Sequence, residues 1–175
     1  LWGRIMARVP QSRLLIKSFD LADATASAGL RTILERAGIA SERVEILPAT
    51  KGVQEHLEMY ARVDVALDPF PYNGTTTTCE ALLMGVPTVC LAGERHASRV
   101  GVSIMRAVGA SELVAESADA YVDTAVLLAQ DAARLDRYRS QLRGMLLASV
   151  LCDARGFVDR LQPALMAMAQ GEGLR

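Results

Sequence analysis

Four consecutive threonines, Thr75, Thr76, Thr77 and Thr78, follow Asn73-Gly74, and a carboxylate, Glu80, comes shortly after them. Hydroxyls and bare backbone N–H groups at the first turn of a helix make an anion site. Those donors lack intrahelical partners and lie at the positive end of the helix macrodipole. One threonine suffices to cap a helix, whereas three or four in a row lower helix propensity. The surplus favours a phosphate over plain capping. Asn73-Gly74 is expected to supply the left-handed backbone of a sharp turn ahead of the helix. Glu80, three residues after Thr77 and four after Thr76, faces the same mouth if the segment is helical. A carboxylate there can accept two hydrogen bonds from a ribose diol, or simply interact with the helix dipole. Phosphate plus hydroxyls points to a nucleotide or a nucleotide-sugar.

Other polar residues gather near this run. Lys51, in the loop Thr50-Lys51-Gly52, can neutralise phosphate or be a solvated loop lysine. His56, in the helix behind that loop, can donate to a phosphate oxygen or a leaving group, although a lone helical histidine is more often a surface or core residue. Arg95, His96, Ser98 and Arg99 lie near the same rim. Gly101 inside a helix costs about 1 kcal/mol against alanine, a sign of close packing with a neighbour. The sequence has no Walker loop, GxGxxG, HExxH or GxSxG pattern and no carboxylate pair set out for glycoside hydrolysis. No metal-ligand spacing stands in the phosphate loop. Diphosphate charge then falls to N–H dipoles and side chains.

Short apolar runs alternate with helical patterns and must position these residues. Strands are expected at 13–18, 43–47, 64–68 and 87–91. Asp20 or Asp23 caps a helix closed by Gly38, and further helices are expected at 53–60, 76–84 and 97–108. Beyond Gly109 the chain turns mainly helical: Ser117 to about Gln130, 131–149 in continuation, then an amphipathic helix at 157–169 and a frayed end from Gln170. Residues 1–109 are thus alternating and 110–170 mainly helical, within a single domain spanning 1–175. The pattern implies an α/β fold: a Rossmann-like parallel sheet with helices on both faces and a helical C-terminal tail. Ligands on such sheets bind beyond the carboxyl ends of the strands, the rim to which every candidate belongs.

Bulk composition narrows the class. Hydrophobic residues make up 51% of the 175, enough for a sizeable core. The 19 basic and 20 acidic residues leave no basic excess, against a nucleic-acid partner. No apolar run approaches the roughly 20 residues of a membrane span. Three widely spaced cysteines, Cys79, Cys90 and Cys152, read as buried free thiols in a reducing compartment, the cytoplasm. The chain opens on Leu1 with helical spacing already under way, which fits a piece of a longer protein with at least one strand upstream.

The run Leu67-Asp-Pro-Phe-Pro-Tyr-Asn-Gly-Thr-Thr-Thr-Thr-Cys-Glu-Ala-Leu-Leu-Met-Gly-Val-Pro-Thr-Val89, with Gly93 and Ala97-Ser-Arg-Val-Gly-Val-Ser103, closely resembles the catalytic C-terminal half of O-linked N-acetylglucosamine transferases. Bacterial TPR-linked homologues and SPINDLY-type proteins are similar too, over nearly the whole chain. The resemblance implies the donor-binding half of an inverting GT-B glycosyltransferase that takes UDP-sugars, chiefly UDP-N-acetylglucosamine, to protein Ser or Thr hydroxyls with no required metal or cofactor. Carried over by position, Asn73, Gly74, Thr75, Thr76 and Thr77 belong to the donor loop, with Thr76 and Thr77 on the pyrophosphate and Glu80 on the ribose. His56 matches a donor-site histidine, and Lys51 resembles a basic residue lying against the uracil. Where some members carry histidine after Asn-Gly, this chain has Thr75. The family's catalytic lysine lies upstream of the first helix, outside this chain, as do the acceptor half and the TPR array. The fragment alone is therefore expected to be inactive. Two alternatives stand beside this one: a UDP-sugar 2-epimerase-like GT-B enzyme and a non-catalytic protein-interaction module.

Overall fold

The structure is a computed structural model that describes residues 1–170; the frayed end expected past Gln170 lies outside the described residues. Five strands, β1 (Leu14–Lys17), β2 (Val44–Leu47), β3 (Ala66–Leu67), β4 (Thr88–Leu91) and β5 (Val114–Ala115), alternate with helices. The helices are α1 (Trp2–Arg8), α2 (Ala24–Arg36), α3 (Val53–Glu58), α4 (Thr76–Leu83), α5 (Val100–Val108), α6 (Ala118–Ala129), α7 (Ala132–Leu147) and α8 (Ala154–Ala169). All strand pairs are parallel, as the alternation requires. They form two ladders, β1–β2 and β3–β4–β5, with no hydrogen-bonded pairing between them among the described residues.

Every residue of β4 is buried, Thr88 included, in keeping with the apolar run Val89-Cys-Leu91: a central parallel strand has no solvent face. Around it Leu82, Met105, Tyr121, Leu128 and Leu142 close the larger core. A smaller core of Met6, Leu34, Ile39 and Val44 sits under β1 and β2, and Trp2 packs against both. Asp23, not Asp20, caps α2, its carboxylate accepting from the Ala26 N–H at 2.8 Å. Several details differ from expectation. The expected helix 97–108 begins as a 3-10 turn, His96–Ser98, and becomes α-helical only at Val100. The expected continuation across 130–131 is a break, because the Asp131 carboxylate accepts the Arg134 N–H at 2.9 Å and starts a new helix. Of the cysteines only Cys90 is buried; Cys79 is half-buried and Cys152 exposed.

The loop that leads into α4 is nailed to the core from both sides. Asp68, only 3% exposed, continues the β3 ladder by donating its N–H to the Val89 carbonyl at 2.9 Å. Its Oδ1 accepts the Gly74 N–H at 2.7 Å, and its backbone carbonyl accepts the Tyr121 hydroxyl at 3.3 Å. Asn73 is buried and uses both ends of its amide: Nδ2 donates to the Pro69 carbonyl at 3.1 Å and Oδ1 accepts the Gly101 N–H at 3.3 Å. The Asn73 N–H donates to the Ala97 carbonyl at 2.8 Å. A Cβ at position 101 would run into the Asp68 carboxylate and lie 2.8 Å from the Cys90 sulfur, which accounts for glycine there.

The Asn73-Gly74 turn is not left-handed. Positive φ is confined to Gly38, Gly85 and Gly109 among the described residues. Glycine is required at 74 for room, since a Cβ would sit 2.6 Å from Thr77 Oγ1 and 2.9 Å from Thr78 Oγ1. Burial pushes the Asp68 carboxyl above its ordinary range; the Gly74 N–H and the Cys90 thiol pull it back only in part. Its second oxygen, Oδ2, has no partner.

Two stability predictions follow from this packing. Gly85 (φ +78°) and Gly109 (φ +80°) both hold left-handed backbone, but a Cβ at 85 would lie 2.6 Å from the Arg139 carbonyl while 109 is open. Gly109→Ala should cost about 1–2 kcal/mol, the usual penalty of that conformation. Gly85→Ala should cost distinctly more in urea unfolding, because α4 and α7 must separate; equal losses would show that this contact yields freely. For Asp68 the native carboxyl is raised, so the folded chain holds a proton that the unfolded chain releases above about pH 3.9. Its contribution to stability is therefore present below that value and lost as pH rises through the native one. Asp68→Asn keeps the acceptor for Gly74 and removes the ionisation. Its stability relative to the parent chain should be higher at pH 7 than at pH 4.5; the opposite trend would mean that Asp68 is held as a stabilised carboxylate.

Candidate functional site

The four threonines divide into one inward and three outward side chains. Thr78 is buried and its hydroxyl donates to the Gly74 carbonyl at 3.0 Å, bracing the turn. Thr75, Thr76 and Thr77 are exposed. Thr75 occupies the N-cap position of α4, yet its side chain makes no capping hydrogen bond. The helix start is thus open, with outward hydroxyls beside N–H groups that α4 itself does not use. The first backbone bond of the turn runs from the Cys79 N–H to the Thr75 carbonyl at 3.1 Å.

Glu80 and His56 meet at this rim. His56 Nε2 lies 2.8 Å from Glu80 Oε2, with the two side chains 25% and 23% exposed. His56 Nδ1 in turn contacts the ammonium of Lys17, whose Nζ is also 3.1 Å from Thr50 Oγ1. Lys17 is the last residue of β1, so its side chain leaves the sheet at the strand's carboxyl end. Tyr60 completes the wall. Its ring meets His56 edge-on at 5.6 Å, and its hydroxyl donates to the Thr77 carbonyl at 3.1 Å. Burial, aided by the Glu80 charge, raises the Tyr60 phenol to about 12, so it remains a donor at neutral pH.

His56, Glu80 and the exposed threonines are therefore gathered on one rim, with buried Asn73 and half-buried Gly74 beneath as its support. Lys51 is exposed; its backbone N–H reaches Glu55 Oε2 at 3.3 Å, and its side chain makes no hydrogen bond or ion pair among the described residues. Of the second polar stretch, Arg95 and His96 are exposed. Ser98 is buried against the Arg95 carbonyl at 3.0 Å, and Arg99 donates to the Gly93 carbonyl at 2.9 Å. Those bonds shape the loop that holds Asn73. Lys17 and Tyr60 escaped the sequence reading. The signal for Lys17 was a single charge ending an apolar, half-buried parallel strand, where the rule of carboxyl-end binding puts ligands. Among the described residues no cluster of three or more His, Cys, Asp or Glu side chains is set to hold a metal ion. No helix among them is long and apolar enough to cross a membrane.

Comparison with known proteins gives a consistent picture. The profile of glycosyl transferase family 41 matches residues 1–161. The protein named probable UDP-N-acetylglucosamine–peptide N-acetylglucosaminyltransferase SPINDLY is 40% identical in Solanum lycopersicum and 41% in Arabidopsis thaliana, over 167 residues in each case. Those alignments cover 95% of this chain and 18% of the relative. The UDP-N-acetylglucosamine–peptide N-acetylglucosaminyltransferase of Caenorhabditis elegans is 30% identical over 168 residues, 96% of this chain and 14% of that protein. A solved structure of a mutant Thermobaculum terrenum O-GlcNAc transferase superposes with a TM-score of 0.87 at 38% identity, over 95% of this chain and 32% of that one. The chain thus spans less than a fifth of the curated relatives named here and about a third of the solved one. With a Rossmann-like α/β fold that matches part of a GT-B enzyme and a family profile running from Leu1 to Leu161, this chain belongs to glycosyl transferase family 41.

Proposed function

We propose that this chain is the donor-binding domain of an inverting, cytoplasmic UDP-sugar glycosyltransferase. The intact enzyme moves N-acetylglucosamine from UDP-N-acetylglucosamine to Ser or Thr hydroxyls of proteins. The observation that carries this reading is the open start of α4, with Thr76 and Thr77 exposed at its first turn and Glu80 facing the same rim beside His56. The names of the relatives supply the sugar and the acceptor class.

In this reading the pyrophosphate lies against the first N–H groups of α4 and the Thr76 and Thr77 hydroxyls. Charge that develops on the departing diphosphate is met by dipoles already oriented by the anchored turn, so little reorganisation is needed as the sugar leaves. Glu80 accepts from the ribose diol, and Lys51 swings from its exposed loop toward the base. The acceptor hydroxyl belongs to the protein substrate, and the acceptor half, the catalytic lysine and the TPR repeats belong to the longer enzyme. This chain alone binds the donor weakly and transfers nothing.

Two measurements test the reading. Calorimetric titration of the chain should show UDP binding more tightly than GDP, and Thr76→Ala with Thr77→Ala should weaken UDP tenfold or more, about 1.4 kcal/mol. No binding, no preference for UDP, or an unaffected double variant would overturn it. Glu80→Ala should weaken UDP about tenfold yet change the affinity for 2′-deoxy-UDP less, because one of the two hydroxyls that the carboxylate accepts is then already missing. Equal losses for both nucleotides would remove Glu80 from the ribose.

A further inference from the structure

The contact between Lys17 and His56 fixes more than a distance. A lysine ammonium carries three donors and no acceptor, so the His56 Nδ1 that it touches must offer a lone pair. The imidazole is then neutral, with its single proton on Nε2. That proton is directed at Glu80 Oε2, 2.8 Å away. Thr50 Oγ1, 3.1 Å from Lys17 Nζ, accepts a second ammonium hydrogen and holds the head group in place. Both ring nitrogens of His56 are thereby committed inside the protein. The ring serves Glu80: it ties down one carboxylate oxygen and leaves the other for an incoming hydroxyl.

We infer that Lys17 is a positioning residue of the donor site, setting the His56 tautomer and through it the orientation of Glu80 for the ribose; this rests on the ribose role given to Glu80 above. The geometry explains why a lysine ends β1, where the strand's apolar side chains stop. It also separates Lys17 from a direct diphosphate ligand. A cation acting on phosphate affects every nucleotide diphosphate alike, whereas a cation acting through His56 and Glu80 affects only nucleotides that present the hydroxyl Glu80 accepts. The opposite tautomer would set a lone pair on Nε2 against the Glu80 carboxylate, and repulsion would turn the carboxylate away.

The chain has two histidines, His56 and the exposed His96, so histidine-selective 15N labelling gives a two-ring spectrum with an internal reference. Without nucleotide, His56 should show the pattern of a neutral ring protonated on Nε2 alone. Lys17→Met should convert it to averaged tautomers, and Lys17→Arg, which still only donates, should restore the single form. In titrations, Lys17→Met should weaken UDP about tenfold while 2′-deoxy-UDP changes little, and Lys17→Arg should recover most of the UDP affinity.

A His56 protonated on Nδ1, or on both nitrogens, in the parent chain overturns the proposal, and that spectrum needs no variant to fold. So does a Lys17→Met chain with an unaltered tautomer, or equal loss of UDP and 2′-deoxy-UDP. If the spectra behave as expected but the parent chain binds no UDP, the tautomer control by Lys17 stands and the nucleotide reading is the part that fails.

Discussion

The site depends on two buried polar side chains that hold one turn rigid. Asp68 and Asn73 are fully enclosed, and a buried carboxylate or amide costs stability unless its hydrogen bonds are made. Asn73 makes three, counting its backbone N–H, and these tie the turn to Pro69, Ala97 and Gly101. Asp68 takes the Gly74 N–H but leaves Oδ2 unpartnered, so the anchor is not built for stability alone. What it secures is the direction of α4 as it leaves the sheet. Glycine at 101 and glycine at 74 are consequences of the same crowding, because each lets one segment approach another more closely than any side chain would allow.

Given that anchor, the threonine run takes on a division of labour. Thr78 spends its hydroxyl on the Gly74 carbonyl and becomes part of the support. Thr77 lends its carbonyl to Tyr60 and keeps its side chain exposed. No side chain closes the start of α4 at Thr75, although a threonine is there to do it. Elsewhere in the chain, Asp23, Ser117, Asp131 and Asp153 all cap their helices in the ordinary way. Helices α1, α3 and α5 also start without a side-chain cap, but at Leu1, Gly52 and Arg99, which have no side-chain oxygen to offer; at α4 a capping-competent threonine stands unused, on the helix that carries Glu80 of the His56–Glu80 pair. Open donors at a macrodipole's positive end are what an anion requires, and here they stand beside outward threonine hydroxyls.

Much of this was legible from residue order. The runs Leu14-Leu-Ile and Thr88-Val-Cys-Leu are strands as expected, the second buried and the first half-buried, and Gly85 and Gly109 end their helices with the positive φ that makes glycine the common choice there. Packing at Gly101 was visible as a helix residue with no local reason to be glycine. Other features were hidden because their causes are not local. The strand expected at 64–68 shrinks to Ala66–Leu67, and the Asp64 carboxylate pairs with Arg139 at 3.0 Å, a residue 75 positions away. β5 has two residues, too few to show a period. Asn-Gly looked like a left-handed turn, yet tertiary bonds from Asp68 and Ala97 bend the chain without it. Lys17 could be read as a strand end, but not as a neighbour of His56, because only the fold brings residues 17 and 56 together.

The site lies where the strands divide into two ladders. Strands β1 and β2 form one ladder and β3, β4 and β5 another, without backbone pairing between them. The polar chain from Lys17 through His56 to Glu80 begins on the first ladder and ends on the helix that follows β3, and so crosses that division. Tyr60 reaching the Thr77 carbonyl crosses it a second time. These contacts lie on the rim where parallel sheets bind their ligands. Each is partly exposed and therefore worth less than a buried bond. A ligand held by both sides of this division would add contacts that the apolar cores do not provide, and would stabilise the folded chain by mass action. Binding and cohesion would then share the same residues. On that account the polar side chains at this rim are placed by the division between the ladders as much as by the ligand, and α1 ties the two sides together without it, with Ile5 in the larger core, Met6 in the smaller and Trp2 against both.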